Sequence, residues 1–437
     1  MSQQKKLLQL LEIQGAVSST EIQTHLAVSQ ATVSRLIAEV ADEVIVCGKG
    51  KSTKYALAHP IGTAPSQQPI WMINESGLPT RLGTLSLLSQ SQIHIDADGV
   101  NEIFTSKQDE VLPWYLSTLK AQGFLGRLLA HELAGLGVPD NPERWDAEAA
   151  LIGAIHTLDA PGAILLGTGA AGSHGPLARL PDESPGDALD ALTLNIAKAV
   201  QPGSSAGGEQ PKILVTNHQG DSFIVKFTPP LGTPFGDRWA DLLRMEAIAN
   251  DVLNRYGFET AKNIFVKTKT RAYLLSQRFD RAKPHGRLHV VSLGAVHHAF
   301  VKGAFVNWAA TCDALARQGR LPKAGAETIH AIAQFGKLIG NSDMHFGNAS
   351  LFVGGQTLKE IVKGQFRLAP VYDMLPMRWR PDQFNGISDY APFKGDDTLA
   401  NEDTRQAARE FWNNVATDHF TSQALKEVAV VMIDGVG

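Results

Sequence analysis

The chain has 437 residues, 40 lysines and arginines against 44 aspartates and glutamates, a net charge of −4 and two cysteines. That length exceeds one compact core, so two or three units are expected. The charge balance excludes a globally basic nucleic-acid coat. Cys47 and Cys312 lie too far apart to suggest a disulfide framework or a thiolate zinc site. No apolar run approaches the ~20 residues that span a bilayer, and the opening MSQQKKLLQLLEIQ reads as an amphipathic helix, not a signal peptide. A cytoplasmic protein that touches no membrane is expected.

Residues 1–57 form the first predicted domain. Leu7, Leu8, Leu10 and Leu11 make one helical face that stops at Gly15. Ser18 or Ser19 caps a second short helix with Glu21 in its first turn, and Ser29 caps a third, QATVSRLIAEV. VIVCGKGKSTKYAL then reads as two strands around a Gly-Lys-Gly-Lys turn. Three helices and a hairpin are the layout of a winged helix-turn-helix. In such a domain the third helix enters the major groove and the hairpin touches the backbone. Gln30, Thr32, Ser34 and Arg35 are therefore the candidate groove contacts, and Lys49, Lys51 and Lys54 a basic wing. DNA is the expected partner, against the blander reading of a small protein-interaction domain with a solvated wing.

Residues 58–69, AHPIGTAPSQQP, read as a linker. A strand-like QIHIDADGV follows, then helical stretches in LPWYLSTLKAQGFLGRLLAHELA and PERWDAEAALIGAIHTL, then a Gly- and Pro-rich segment over 161–187. From about 200 the chain turns to strands (KILVTN, DSFIVKFTP, KNIFVKT, YLLSQRFD) around one long helix, RWADLLRMEAIANDVLNRYGF. Beyond 293 it is mainly helical, apart from strands in ASLFV and FRLAPVYD. The plan is α+β: a sheet-rich lobe over 70–292 and a helical lobe over 293–437. Gly167-Thr-Gly-Ala-Ala-Gly172 imitates a dinucleotide fingerprint, but the three prolines of SHGPLARLPDESPGD deny it the helix such a motif must open.

The chemistry is carried by LIGNSDMHFGNASLF. Phosphotransfer needs a carboxylate to take the proton of the attacking hydroxyl and a neutral oxygen for Mg²⁺ close by, and Asp343-x-x-x-x-Asn348 supplies both. Asp373, at a strand end 25 residues on, is the candidate second metal ligand. Upstream, Ser204, Ser205, Gly207 and Gly208 precede a strand, where a backbone without Cβ atoms approaches phosphates closely. Lys226 on the next strand is placed to reach those phosphates, and Glu246 in the following helix to orient it. Each feature alone is weak; their order gives them weight. His345 reads as a brace for Asp343.

At SSAGGEQPK, FIVKF, QRFDR, LIGNSDMHFGN and LAPVYDMLP the chain resembles the HipA family of serine/threonine kinase toxins, over roughly residues 70–430. With its fused N-terminal domain, the whole looks like one known branch of that family, the HipH type. The resemblance implies a two-lobed, protein-kinase-like fold, ATP and Mg²⁺, and phosphorylation of a protein substrate whose identity the motifs do not carry. It makes Asp343 the catalytic base, Asn348 and Asp373 the metal ligands and Lys226 the phosphate contact. Gln277 and Phe279 would lie nearest the adenine, and Ser204 or Ser205 would be autophosphorylated. Gln277 and Gly347 depart from the type member, which has Glu and Lys there. The family also implies a helix-turn-helix antitoxin, and the built-in DNA-binding domain a homodimer. Two other readings stand beside the active kinase: a DNA-binding regulator whose kinase-like half only senses nucleotide, and a small-molecule phosphotransferase.

Overall fold

A computed structural model describes residues 2–435 apart from 158, 172–176, 183–184, 200–209, 283–284 and 383–385. The chain packs as two compact units, 1–175 with 354–364 and 176–353 with 365–437.

In the first unit, α1 (Gln3–Gln14) begins where the Ser2 side chain accepts from the Lys5 N–H. Strand β1 (Val17–Ser18) leads into α2 (Ser19–Leu26), started by a capping box between Ser18 and Glu21. Ser29 caps α3 (Gln30–Glu39). Leu7, Leu10 and Leu11 of α1 meet Ile22 of α2 and Val33 and Leu36 of α3 in one buried cluster. The side chains of Leu7, Leu11 and Ile22 are wholly buried, each contributing about 1.5–3 kcal/mol. Strands β2 (Val44–Cys47) and β3 (Lys54–His59) complete the hairpin.

That hairpin continues into the next domain. β3 pairs with β1 and β2 near its start, then with β5 (Pro79–Leu88) through Ala58↔Leu88 and His59↔Leu87. Strand β4 (Gln67–Ile73) takes in the last three residues of the expected linker, so only 60–66 lie between strands. β6 (Gln92–Ala97), β7 (Val100–Thr105) and β8 (Ile164–Leu166) fill out an eight-stranded antiparallel sheet. Gly15 adds a second tie: its φ of 73° lies in the left-handed region that favours glycine, and the Gln92 amide oxygen sits 2.5 Å from where a Cβ would be. The chain then turns so that Ala16 N–H donates to Gln92 Oε1 at 2.9 Å. Helices α4 (Gly123–Glu132) and α5 (Ala147–His156) complete this part. In the glycine run after β8, Thr168–Ala171 form a 3₁₀ turn.

In the second unit, β9 (Ala178–Arg179) and α6 (Pro185–Ala199) precede β10 (Lys212–Thr216) and β11 (Ser222–Phe227). With α7 (Pro234–Arg255), β12 (Asn263–Lys267) and β13 (Ala272–Gln277) they form a five-stranded sheet, order β12-β13-β11-β10-β9. Alternation decides what each face holds. Phe223, Val225 and Phe227 of β11 join Tyr273 and Leu275 of β13 in the core on one face. Lys226, one residue out of phase, belongs to the other face, where Leu274 packs against Leu243 and Ala247 of α7.

Two short pairs follow, β14 (Arg281–Ala282) with β15 (Gly286–Arg287), and β16 (Val290–Ser292) with β17 (Ser350–Val353). Between them run α8 (Leu293–Phe300), α9 (Trp308–Arg317) and α10 (Lys323–Ile339). After α11 (Leu358–Ile361), which belongs to the first unit, β18 (Phe366–Leu368) pairs with β17, and α12 (Glu402–Thr417) and α13 (Gln423–Gly435) close the chain. Phe335 of α10, Phe411 and Trp412 of α12, and Trp379 and Phe393 of the segment before it form one aromatic core. The architecture is α+β. Among the described residues no helix is long and apolar enough to cross a membrane.

Candidate active site

Lys226 meets Glu246 because β11 turns its out-of-phase side chain toward α7, and Glu246 follows Leu243 by three positions on the face that packs on the sheet. Lys226 Nζ lies 2.6 and 2.7 Å from the two Glu246 carboxylate oxygens. The same ammonium contacts the carboxylate of Asp373. Asp373 follows β18 with a φ of 53°, a left-handed conformation that is sparsely used outside glycine and is often found at functional sites.

One ammonium and two carboxylates share this buried spot. Burial alone would lower the Lys226 pKa, but Asp373 and Glu246 more than offset it and the lysine stays charged. Burial raises the Glu246 carboxyl against the pull of Lys226. At Asp373 burial also pushes upward, yet Lys226 and then Lys212 hold the carboxyl at about 2. Lys212 stands directly across from Lys226 in the β10–β11 register.

Helix α10 ends at Gly340, and the loop to β17 holds the other carboxylate. Asn341 organises it. Its Oδ1 accepts from the Asp343 N–H at 3.0 Å, while its Nδ2 points at the Asp373 carbonyl at 3.5 Å. At the far end, Asn348 Nδ2 donates to the Asp343 carbonyl at 2.9 Å, so its amide oxygen takes no part in that bond. Tyr372, beside Asp373, donates to the Gly347 carbonyl at 2.8 Å. The two segments that carry Asp343, Asn348 and Asp373 are thereby stitched together.

Phe279 packs edge-on to Phe352 and lies 5.7 Å from Tyr372, which joins it to the same cluster. Gln277, at the end of β13, donates to Asp221 at 2.9 Å. His345 Nε2 is 4.0 Å from the nearest Asp343 oxygen, too long for the expected brace to be a hydrogen bond. Ser204, Ser205, Gly207 and Gly208 fall outside the described residues. Asn341 and Lys212 were not singled out in the sequence, although Asn341 sits two residues before Asp343, the spacing of an Asx turn.

Among the described residues no three His, Cys, Asp or Glu side chains converge as a stand-alone metal site. Asp373 with the Asn348 amide fits a different demand: Mg²⁺ that takes one or two protein oxygens and completes its shell with substrate phosphates and water.

On the N-terminal helices, Gln30, Ser34 and Arg35 are exposed and Thr32 is half-buried, its N–H capped by Ser29. Lys49, Lys51 and Lys54 are all exposed along the hairpin.

Comparison with known proteins gives two family matches: a HipA-like C-terminal domain over residues 204–434 and the middle domain of a YjjJ-like toxin over 64–174. The chain is 34% identical over 443 residues to Toxin YjjJ of Escherichia coli (strain K12), covering 97% of this chain and 95% of that one. Among solved structures it resembles a chain of the Shewanella oneidensis MR-1 HipA, HipB and operator DNA complex, with TM-score 0.52 and 17% identity. That match covers 84% of this chain and 95% of the other. The Helicobacter pylori proinflammatory kinase CtkA superposes only loosely, at TM-score 0.34 and 15% identity over 53% of this chain and 92% of its own, and bears no weight.

Proposed function

Because the chain belongs to the HipA family, in its YjjJ-like toxin branch, we propose that it is an ATP- and Mg²⁺-dependent protein serine/threonine kinase that also binds DNA. The observation that supports this most is the junction of Lys226, Glu246 and Asp373, held beside the Asp343–Asn348 loop by Asn341. Such a junction suits a triphosphate substrate: the lysine, kept charged and oriented by Glu246, meets phosphate oxygens. Asp373, ionised at any physiological pH, and the Asn348 oxygen would hold the metal. Bound Mg²⁺ would neutralise charge on the phosphates. Asp343 would accept the proton of the serine or threonine hydroxyl as that oxygen attacks. Phe279 and Gln277 would border the adenine.

The N-terminal helices and hairpin would act as a winged helix-turn-helix, with Arg35 and its neighbours toward bases and the three wing lysines toward phosphates. A homodimer on operator-like DNA, and an antitoxin as a further partner, complete the proposal. The site lies in a chain without a membrane-spanning helix among its described residues, in keeping with a cytoplasmic toxin.

The test is transfer from labelled ATP, with and without Mg²⁺, by the wild type and by Asp343→Ala. Transfer to itself or to an added protein, lost in Asp343→Ala while nucleotide binding persists, supports the kinase. Wild-type protein that binds ATP and never transfers phosphate would favour a nucleotide-sensing DNA regulator instead.

A further inference from the structure

Two large apolar side chains stand in water beside the loop that carries Asp343. Phe346, in that loop, is 42% exposed, and Val306, on the turn between α8 and α9, is 75% exposed. The Phe346 ring is firmly seated. It meets Phe305 edge-on at 5.2 Å between centroids and His298 at 6.0 Å. Beneath it runs the first turn of α8, where the Gly294 N–H donates to the Phe346 carbonyl at 3.2 Å. A Cβ on Gly294 would stand 2.2 Å from Phe346 Cδ2, so the ring rests against helix backbone.

The backbone on either side is held as well. The His345 carbonyl accepts from Trp308 Nε1 at 2.8 Å and from the Asn348 N–H at 3.1 Å. Asn307, next to Val306, caps α9 by accepting from the Ala310 N–H at 2.8 Å. Single exposed apolar residues are ordinary on a protein surface. This pair differs in its place: a fixed aromatic wall, packed on one side and open on the other, next to the proposed base.

That place argues for what covers it. The Phe346 ring lies 6.4 Å from the ring of His345, whose Nε2 is 4.0 Å from an Asp343 oxygen. A polypeptide that delivers a serine or threonine hydroxyl to Asp343 is tied to that point, and its extended chain spans ~3.3–3.6 Å per residue. Its neighbours up to ~three residues from the acceptor therefore come within reach of the ring. A small-molecule acceptor has no such neighbours and would leave the ring wet.

We propose that Phe346, backed by Phe305 and flanked by Val306, selects the protein substrate: the segment phosphorylated carries a large apolar side chain within ~three residues of its serine or threonine. The proposal deepens the kinase reading and rests on it. In the transfer, the hydroxyl oxygen bonds to the terminal phosphorus, the bond from that phosphorus to the bridging oxygen breaks to leave ADP, and the hydroxyl proton passes to Asp343. Phe346 takes no part in those bond changes. Its contact lasts from binding through transfer, so it raises kcat/KM for the matching substrate by way of KM.

The experiment is transfer from labelled ATP with Mg²⁺ by the full chain, to itself and to positional libraries of peptides around a central serine. The variants are Phe346→Leu, Phe346→Lys and Val306→Ser. The wild type is expected to favour Leu, Ile or Phe over Asp or Ser at a flanking position by about 10–100-fold in kcat/KM. Phe346→Leu keeps that preference. Phe346→Lys loses it and favours Asp or Glu at the same position, a reversal that mere damage to the loop does not produce. Val306→Ser, outside the catalytic loop, narrows the preference by about 3–10-fold. If Phe346→Lys transfers nothing, Val306→Ser decides: a narrowed preference supports the proposal and an unchanged one overturns it.

A wild type that phosphorylates itself and shows no apolar preference among peptides overturns the proposal and leaves the kinase intact. So does a preference that survives Phe346→Lys, or a Phe346→Lys variant altered only in self-association, which would make the patch a contact between copies. A wild type that transfers phosphate neither to itself nor to any peptide overturns the kinase reading and the proposal together.

Discussion

Lys226 sets its ammonium almost equidistant from both oxygens of Glu246, in a place where lysine is 7% and glutamate 1% exposed. A pair this deep is worth little as a net gain, but breaking it is costly, because the remaining charge has no water to turn to. Lys226→Met is expected to destabilise the protein by about 3–5 kcal/mol in urea unfolding. Adding Glu246→Gln should restore part of that, since the stranded carboxylate is gone. A second substitution that deepens the loss would mean that Glu246 has other partners of equal weight.

Asp373 gives this junction a pH dependence. Its carboxyl is held at about 2, below the roughly 3.9 of an unfolded aspartate, and its side chain is 23% exposed. A depressed folded pKa adds stability that is present above the unfolded value and lost as pH falls toward the folded one. The amount is roughly 2 kcal/mol. Glu246, raised by burial, works in the opposite sense, so the two must be separated by mutation. The stability advantage of the wild type over Asp373→Asn should shrink as pH is lowered from 5 toward 3. A gap constant over that range would show that Lys226 does not hold Asp373 ionised.

A third expectation concerns Asp241, one turn and a half before Glu246 on α7. It accepts from Tyr390 Oη at 2.8 Å and from both the N–H and the hydroxyl of Ser422. Arg238, one turn earlier, donates to the carbonyls of Trp379 and Ser388 and stacks on Tyr390. The helix that presents Glu246 is thus fastened to the segment after Asp373 by buried polar bonds. Asp241→Ala leaves three donors unsatisfied and is expected to cost about 2–3 kcal/mol; Tyr390→Phe, which removes one donor, about 1 kcal/mol. If the tether also sets Glu246, both variants raise ATP KM more than Ser422→Ala does, as steady-state kinetics would reveal.

The local parts of this design were legible in the sequence and the long-range parts were not. Asp343 and Asn348 lie in one loop, and Ser18, Ser29 and the apolar spacing of Leu7, Leu10 and Leu11 mark helices within a few residues of themselves. Lys226 and Glu246 could be paired from their order on a strand and the next helix. Lys212 could not, because its relevance depends on the β10–β11 register. Asp241 reads as an ordinary polar position on an amphipathic helix until Tyr390, 149 residues later, comes to rest on it. The bonding of β3 to β5 was hidden for a similar reason. AHPIGTAPSQQP has the composition of a linker, and only the pairing of its two ends with β5, Ala58 and His59 with Leu88 and Leu87 and Gln67, Gln68 and Pro69 with Ser86, Leu85 and Thr84, draws them into a sheet.

That sheet bears on the last expectation. The basic hairpin is an extension of the neighbouring domain's strands, so removing its charges should alter DNA binding without loosening the fold. Lys49, Lys51 and Lys54 project from it into solvent, and Arg35, 69% exposed, has only a 3.8 Å surface pairing with Glu39 to give up. Exposed charges of this kind contribute little to stability. Against a 30-base-pair duplex followed by fluorescence anisotropy between 50 and 200 mM salt, changing all three lysines to alanine should flatten the slope of log K against log salt by about 2–3. Arg35→Ala should cost about 1–3 kcal/mol if it reads a base, and flatten the slope by about 1 if it meets a phosphate. Thermal unfolding and phosphate transfer should be unchanged in both variants. An unaltered salt slope would mean that the wing lysines meet no phosphates and that the hairpin serves another partner.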